Sequence, residues 1–348
     1  MIVHQLLSGA GPVDAVTGQA RQFRDLFDRW GWRGGDFAAY LDPRMDGAVA
    51  PLSGLVAGPG DLLLFHYSAY SPKLTALLEL PNPKLLVSHN ITPAHYFWDH
   101  EPTIAINCAI GRAQLPQFAQ AVDLAAGVSE YNTAELRNAG ARHTTVLPIL
   151  FDRDRLPAPG EADRARPPTI LCVGRLTPHK RQDDVLRAFA LYRRHHAPDA
   201  RLMLVGEPLT PRYEAAVREL ADELAPGAVT IESNLAAAKL WERYRRADAL
   251  ISLSEHEGFC IPLLEAFHFG VPVVARAAGG VPEVAADAAL LVDLDEELAV
   301  ATELLALAIS DDELRAELRR RGRARLADYE FERGAQRLRE AVESLSAE

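Results

Sequence analysis

Two glutamates with seven residues between them carry the first chemical signal: Glu257-Gly-Phe-Cys-Ile-Pro-Leu-Leu-Glu265. The preceding Asp248-Ala-Leu-Ile-Ser-Leu-Ser254 is apolar between polar ends and reads as a short buried strand. Gly258 supplies a turn, and Pro262 falls where proline is tolerated, in the first turn of a helix. Glu257 then belongs to the loop at the strand's carboxyl end, and Glu265 lies about one helical turn in. This reading gathers two carboxylates and free helix N-terminal amides in one small volume, at the strand ends where open α/β sheets bind ligands. The amides and helix dipole suit phosphate or a negative sugar oxygen, and the carboxylates accept hydrogen bonds from hydroxyls.

A second group supplies the opposite charge. Val173-Gly174-Arg175-Leu176-Thr-Pro-His-Lys180-Arg181 follows an apolar strand and opens a helix. Gly174 permits a tight turn, and Arg175 and Lys180 can balance a diphosphate and its growing charge on departure. A solvated basic helix start is the plainer alternative. Cations there oppose the macrodipole, so an anionic ligand is preferred. Only four lysines (Lys73, Lys84, Lys180, Lys239) stand among 37 basic residues, which makes Lys180 more informative. His89, in Val87-Ser88-His89-Asn90-Ile-Thr-Pro93, ends another strand. His95 and His100 lie nearby in sequence, but their spacing fits no familiar zinc motif.

The context Ser254-Glu-His-Glu257-Gly-Phe-x-x-Pro262-x-x-Glu265-Ala resembles the signature of retaining nucleotide-sugar glycosyltransferases, in particular the large family 4 with its two-domain GT-B architecture. The resemblance implies a donor site in which Gly174, Arg175 and Lys180 grip a diphosphate. Arg181 stands where a glycine often follows the lysine. Gly206-Glu207-Pro208 resembles the turn beside the nucleotide, and Asn234 and Leu235 occupy the position that holds the base, although Asn234 equally suits a helix N-cap. Glu257 would position sugar hydroxyls with the amides of Gly258, Phe259 and Cys260, and Glu265 would hold the ribose. Gly279-Gly280-Val-Pro-Glu283 resembles a family turn whose role reads as structural.

In the first half, His89 matches a histidine near the reacting sugar. Asp14-Ala-Val-Thr-Gly18 resembles the loop whose backbone approaches sugar and acceptor, here stiffened by Pro12-Val13. His66 is a second strand-end histidine expected to line the acceptor side. The implied reaction moves a hexosyl group from a UDP- or GDP-linked sugar to a glycan, lipid-linked or small-molecule hydroxyl. It proceeds by front-face displacement with retention, using His89, Arg175, Lys180 and Glu257. The nucleoside diphosphate sugar is a substrate; no cofactor and no metal are expected, because cationic side chains replace the metal and no Asp-x-Asp clamp is evident. A nucleotide-sugar 2-epimerase or hydrolase, or an idle nucleotide-sugar-binding partner subunit, remain the alternatives. A dehydrogenase is poorly supported, since neither half shows Gly-x-Gly-x-x-Gly after its first strand.

These residues need a scaffold of alternating strands and helices, an α/β chain with parallel sheets. Strands are expected at Ile2–Leu7, Leu62–His66, Leu85–His89, Leu124–Val128 and Thr145–Pro148, with helices at Gly18–Trp30 and Lys73–Leu80. After a Pro-rich stretch, Asp152–Pro168, strands recur at 169–174, 201–205, 228–232, 249–253, 273–275 and 289–292. Helices are expected at 182–194, 212–224, 235–246, 296–307, 312–326 and 331–344. The expectation is two Rossmann-like domains facing across a cleft, residues 1–160 and 161–328. By analogy, a C-terminal helix within 329–348 crosses back to the first.

At 348 residues two domains are the prior. A net charge of −11 argues against a nucleic-acid partner. Cys108, Cys172 and Cys260 build no disulfide framework, and the start lacks a signal peptide, so a cytoplasmic location is expected. The basic, aromatic segment Gln19–Arg33 raises peripheral membrane contact at the inner face of the membrane. The preferred reading has Phe23, Leu26, Phe27 and Trp30 packing on the sheet instead.

Overall fold

The computed structural model describes residues 1–12, 14–45, 47–160 and 166–345. One compact unit comprises Met1–Trp98, Pro102–Leu150 and Phe331–Glu348; the other comprises Asp99–Glu101 and Phe151–Glu330. The passage at Leu150–Phe151 precedes the expected boundary at 160/161. Residues 161–165 of the expected linker, Val13 of the loop before Asp14, and residues 346–348 lie outside the described residues.

In the first unit, β1 (Val3–Leu7), β2 (Asp36–Ala38), β3 (Ala50–Pro51), β4 (Leu62–Tyr67), β5 (Lys84–Ser88), β6 (Leu124–Gly127) and β7 (Thr144–Val146) form one parallel sheet, ordered β3-β2-β1-β4-β5-β6-β7. Helices α1 (Ala15–Arg29), α2 (Pro72–Thr75), α3 (Pro102–Ala121) and α4 (Glu130–Asn138) connect them. β1, β4 and β5 are buried along their whole length, as strands of a sheet covered on both faces are. Leu63, Phe65 and Tyr67 pack with Phe118 and Leu136 on one face. On the other, α1 buries Phe23, Leu26 and Phe27 to within 1% exposure. Each such burial contributes roughly 1.5–3 kcal/mol.

The second unit repeats the plan. Strands β8 (Thr169–Val173), β9 (Arg201–Val205), β10 (Val229–Glu232), β11 (Ala249–Ser252), β12 (Val273–Arg276) and β13 (Leu290–Val292) form a parallel sheet ordered β10-β9-β8-β11-β12-β13. Its helices are α5 (Gln182–His195), α6 (Pro211–Leu224), α7 (Ala237–Arg246), α8 (Ile261–Phe269), α9 (Val281–Ala285), α10 (Leu298–Ser310) and α11 (Asp312–Leu326). Both sheets change winding direction beside their first strand, between β1 and β4 and between β8 and β11. That is the switch point where doubly wound sheets open a crevice at their carboxyl edge. The last helix, α12 (Phe331–Ser344), belongs to the first unit. Arg29 lies over its Phe331 ring at 5.5 Å, its Arg339 lies over Trp30 at 5.7 Å, and a Cβ on Gly334 would meet Leu150 Cδ2 at 2.6 Å.

Several elements differ from expectation. The twenty-residue α3 has no counterpart in the sequence reading. Its isoleucines and alanines are spread around the helix, so no 3.6-residue stripe stands out, and Pro116 inside it reads as a break. The helix expected over Lys73–Leu80 is one α-turn followed by a 3-10 turn at Ala76–Glu79. Leu80, before Pro81, is extended (ψ 143°), as residues before proline prefer. α7 begins at Ala237 rather than Leu235, because Asn234 sits at φ 55° and the cap is Ala236.

Candidate functional site

The carboxyl edge of the second sheet collects most of the expected donor residues. β8 ends at Gly174, whose φ of 153° favours glycine. A Cβ on neighbouring Gly206 would lie 2.0 Å from the Gly174 carbonyl oxygen, so the ends of β8 and β9 approach as closely as only glycine allows. Gly174 N–H donates to the Val205 carbonyl and Gly206 N–H to that of Glu232, each at 2.9 Å. Asn234, exposed, and Leu235, half-buried, follow β10 on the same edge. Asn234 is no helix cap; the helix starts beyond it.

From Gly174 the chain exposes Arg175, which meets no carboxylate partner among the described residues. A 3-10 turn at Pro178–Lys180 then leads into Arg181 at φ 51°, ψ 48°. That left-handed position explains the glycine preference there, since a side chain costs about 1–2 kcal/mol. The Arg181 guanidinium is tied to Asp183, Asp184 and Glu255, so this cation serves its neighbours.

Lys180 is placed differently. Its ammonium pairs with the Glu257 carboxylate. Burial pulls the Lys180 pKa down, but the attraction of Glu257 outweighs it, and the net shift is upward. The ammonium therefore stays charged. Glu257 itself is only 6% exposed. A Cβ on Gly279, at φ 56°, would fall 2.1 Å from the Glu257 carbonyl oxygen, and Gly280 N–H donates to that oxygen at 2.9 Å. The Gly-Gly turn thus braces the Glu257 backbone.

Beyond Glu257, Cys260 adopts φ 74°, ψ 68° and opens α8, with Pro262 in its first turn. Among the described residues, the N–H groups of Gly258, Phe259 and Cys260 meet no acceptor, leaving donors available to an anion. Glu265, one turn in, accepts a 2.5 Å hydrogen bond from the Tyr244 hydroxyl. Desolvation raises its carboxyl to about 7, against the opposing effect of that hydrogen bond.

Two supporting residues have no counterpart in the sequence reading. Tyr244 is fully buried and stacks on Phe269 at 5.4 Å between ring centroids. Arg276, 4% exposed, donates to the Leu253 carbonyl at 2.7 Å and to Asp184 at 3.1 Å, fixing the chain just ahead of Glu257. An arginine ending the apolar run Val273–Arg276 was the available signal for the second of them.

The carboxyl edge of the first sheet is a separate cluster. Asp14 caps α1: its Oδ2 accepts from Thr17 N at 2.8 Å and Thr17 Oγ1 at 2.7 Å. Gly18 is exposed in the first turn, with no protein atom within 4 Å of a Cβ position. His89 follows β5, half-buried, and its Nε2 lies 2.9 Å from His66 Nδ1. His66 was expected to line the acceptor side. It has no exposure and sits beneath His89 and α1, 5.6 Å from the Phe23 ring centroid, so it can act only through His89. Among the described residues, no helix is long and apolar enough to cross a membrane, and the apolar face of α1 is buried in the core.

The family model "Glycosyl transferases group 1" matches residues 159–325. A GDP-mannose-dependent monoacylated alpha-(1-6)-phosphatidylinositol monomannoside mannosyltransferase of Corynebacterium glutamicum is 29% identical over 254 residues, covering 67% of this chain and 65% of that protein. A GDP-mannose-dependent alpha-(1-6)-phosphatidylinositol monomannoside mannosyltransferase of Mycolicibacterium smegmatis is 30% identical, covering 51% and 50%. The chain thus spans about half to two-thirds of the length of these relatives. Among solved structures, a sucrose-phosphate synthase from Thermosynechococcus elongatus superposes with a TM-score of 0.78 at 18% identity, over 99% of both chains. An Anabaena protein solved with UDP and glucose gives 0.74 at 18% identity, over 98% of this chain and 99% of that one. The chain has the GT-B fold of these solved structures, and its residues 159–325, the stretch that holds Gly174, Lys180, Glu257 and Glu265, match the model of glycosyl transferases group 1.

Proposed function

We propose that this chain is a retaining glycosyltransferase that moves a hexosyl group from a nucleoside diphosphate sugar to a hydroxyl acceptor. The observation that carries the reading is the second sheet's edge. A charged lysine held by Glu257, an exposed Arg175, unsatisfied amides at the mouth of α8 and a desolvated Glu265 line up along it. Anionic and hydroxyl-rich parts of one ligand are what this set can satisfy together.

Lys180, Arg175 and the Gly258–Cys260 amides take the diphosphate, with no resident metal required. Glu257 accepts from sugar hydroxyls and Glu265 from the ribose. In the reaction the acceptor oxygen bonds to the anomeric carbon as the bond from that carbon to the phosphate oxygen breaks. The acceptor's proton passes to that same phosphate oxygen on the same face, which retains the configuration. The cations lower the barrier by holding charge as it develops on the leaving group. His89 is the first unit's candidate for a sugar hydroxyl. The activities for which the relatives are named favour GDP-mannose as the donor and a lipid-linked inositol mannoside as the acceptor to try first.

The test is turnover. GDP release from GDP-mannose should require an acceptor such as a phosphatidylinositol mannoside, persist in EDTA, and give a product whose anomeric coupling shows the α-configuration. Equal release without acceptor would indicate a hydrolase instead, conversion of the donor to its 2-epimer with no release would indicate an epimerase, and an inverted product would contradict the mechanism.

A further inference from the structure

The first sheet carries a polar line through its interior, built by strand register. Leu7 pairs with His66 and His66 with Val87. Because side chains alternate faces, Gln5, His66 and His89 fall on one face, beneath α1. Gln5 Nε2 lies 2.8 Å from the Ala20 carbonyl oxygen and 2.9 Å from Asp36 Oδ1. Both partners only accept, so the amide orientation is fixed, and Gln5 Oε1 is the atom 2.8 Å from His66 Nε2. Asp36 is held in turn by Arg24 at 2.7 Å.

Proton positions follow from this chain. His66 Nε2 must carry hydrogen to donate to Gln5 Oε1. Complete burial disfavours a charged His66, so its Nδ1 keeps a lone pair. His89 Nε2 must then donate to it, which leaves His89 Nδ1 as the remaining ring nitrogen, with no partner among the described residues. The titratable groups acting on His89 are His66 on β4 and Asp14 at the start of α1. Burial and the Asp14 charge act in opposite directions, and burial prevails, holding His89 near 4.

We propose that Gln5 and His66 are positioning residues that hold His89 in its Nε2–H tautomer, so that its Nδ1 is a standing acceptor for a ligand hydroxyl. A tautomer fixed in advance removes one of two orientations before the ligand arrives, which is preorganisation. The identity of the ligand rests on the reading above; the tautomer does not.

The experiment uses full-length protein with 15N-labelled histidine and long-range 15N–1H correlation. His89 is assigned by its loss in His89→Gln. At pH 7 without ligand, His89 should show a protonated Nε2 and a lone pair on Nδ1, unchanged to below pH 6. A protonated Nδ1, or two averaged nitrogens, overturns the proposal. In His66→Phe, which keeps the ring packing on Phe23, the nitrogens should average. An unchanged tautomer there also overturns it; should that variant not fold, the wild-type spectrum alone decides. Adding GDP-mannose, but not GDP, should move the Nδ1 signal, and a folded His66→Phe should lose about tenfold in kcat/KM. If GDP-mannose binds and Nδ1 does not move, the hydroxyl-acceptor role fails. If no nucleotide sugar binds, the functional reading fails while the ligand-free spectrum still decides the tautomer.

Discussion

At the scale of single residues, the Lys180–Glu257 pair decides most. Either side chain alone in that place would be a desolvated charge; together they form an ion pair, and a diphosphate can share the ammonium. Lys180→Met strands the Glu257 carboxylate and is expected to lower stability by about 3 kcal/mol, read from a denaturant midpoint, and to abolish nucleotide binding. Glu265 gives a pH signature. Its folded carboxyl titrates at about 7, above the ordinary value of 4.5. The folded state therefore holds a proton that the unfolded chain releases, and stability contributed by this group falls as pH rises from 4.5 through 7. Glu265→Gln should flatten that fall and match or exceed the wild-type Tm at pH 8. A ribose hydroxyl prefers the ionised carboxylate, so nucleotide affinity should weaken below pH 7 in wild type only. Tyr244→Phe removes the donor that favours ionisation and should move the midpoint upward. The paired glutamates, Gly174 and Lys180 were legible from type and spacing. Tyr244, Gln5 and the burial of His66 were not, because strand register and helix packing bring them together from distant sequence.

At the scale of elements, tight turns set the site. The Gly279-Gly280 turn rests on the Glu257 carbonyl with no room for a methyl group. Gly279→Ala should lower stability by about 1–3 kcal/mol and weaken nucleotide binding through the displaced glutamate, measured by thermal melt and titration. Arg276 ties β12 to the end of β11 and to α5 through Leu253 and Asp184; Arg276→Met leaves the Leu253 carbonyl without this donor and Asp184 with Arg181 and Arg187, and should destabilise by about 1–3 kcal/mol. Strands and amphipathic helices of the second unit were read nearly to the residue, for example 201–205 and 212–224, because their apolar periods are regular. α3 escaped for the opposite reason: it is uncharged apart from Arg112 and apolar on most sides. Short strands such as Ala50–Pro51 carry too few residues to show a period.

At the scale of the whole molecule, two parallel sheets with the same winding order supply two carboxyl edges, one rich in cations and amides, the other presenting His89. The alternation of strand and helix made that plan visible in sequence. The order within each sheet and the return of α12 to the first unit follow from long-range packing. A ligand that binds only the folded chain adds stability by mass action, so one titration addresses the account as a whole. That measurement is calorimetric binding of GDP-mannose to the wild-type chain and to Lys180→Met, in EDTA. The account predicts one saturable site in the wild type, unaffected by chelation and lost in the variant. GDP-mannose and its UDP-linked counterparts failing to bind the folded wild type, or binding equally well without Lys180, would contradict it.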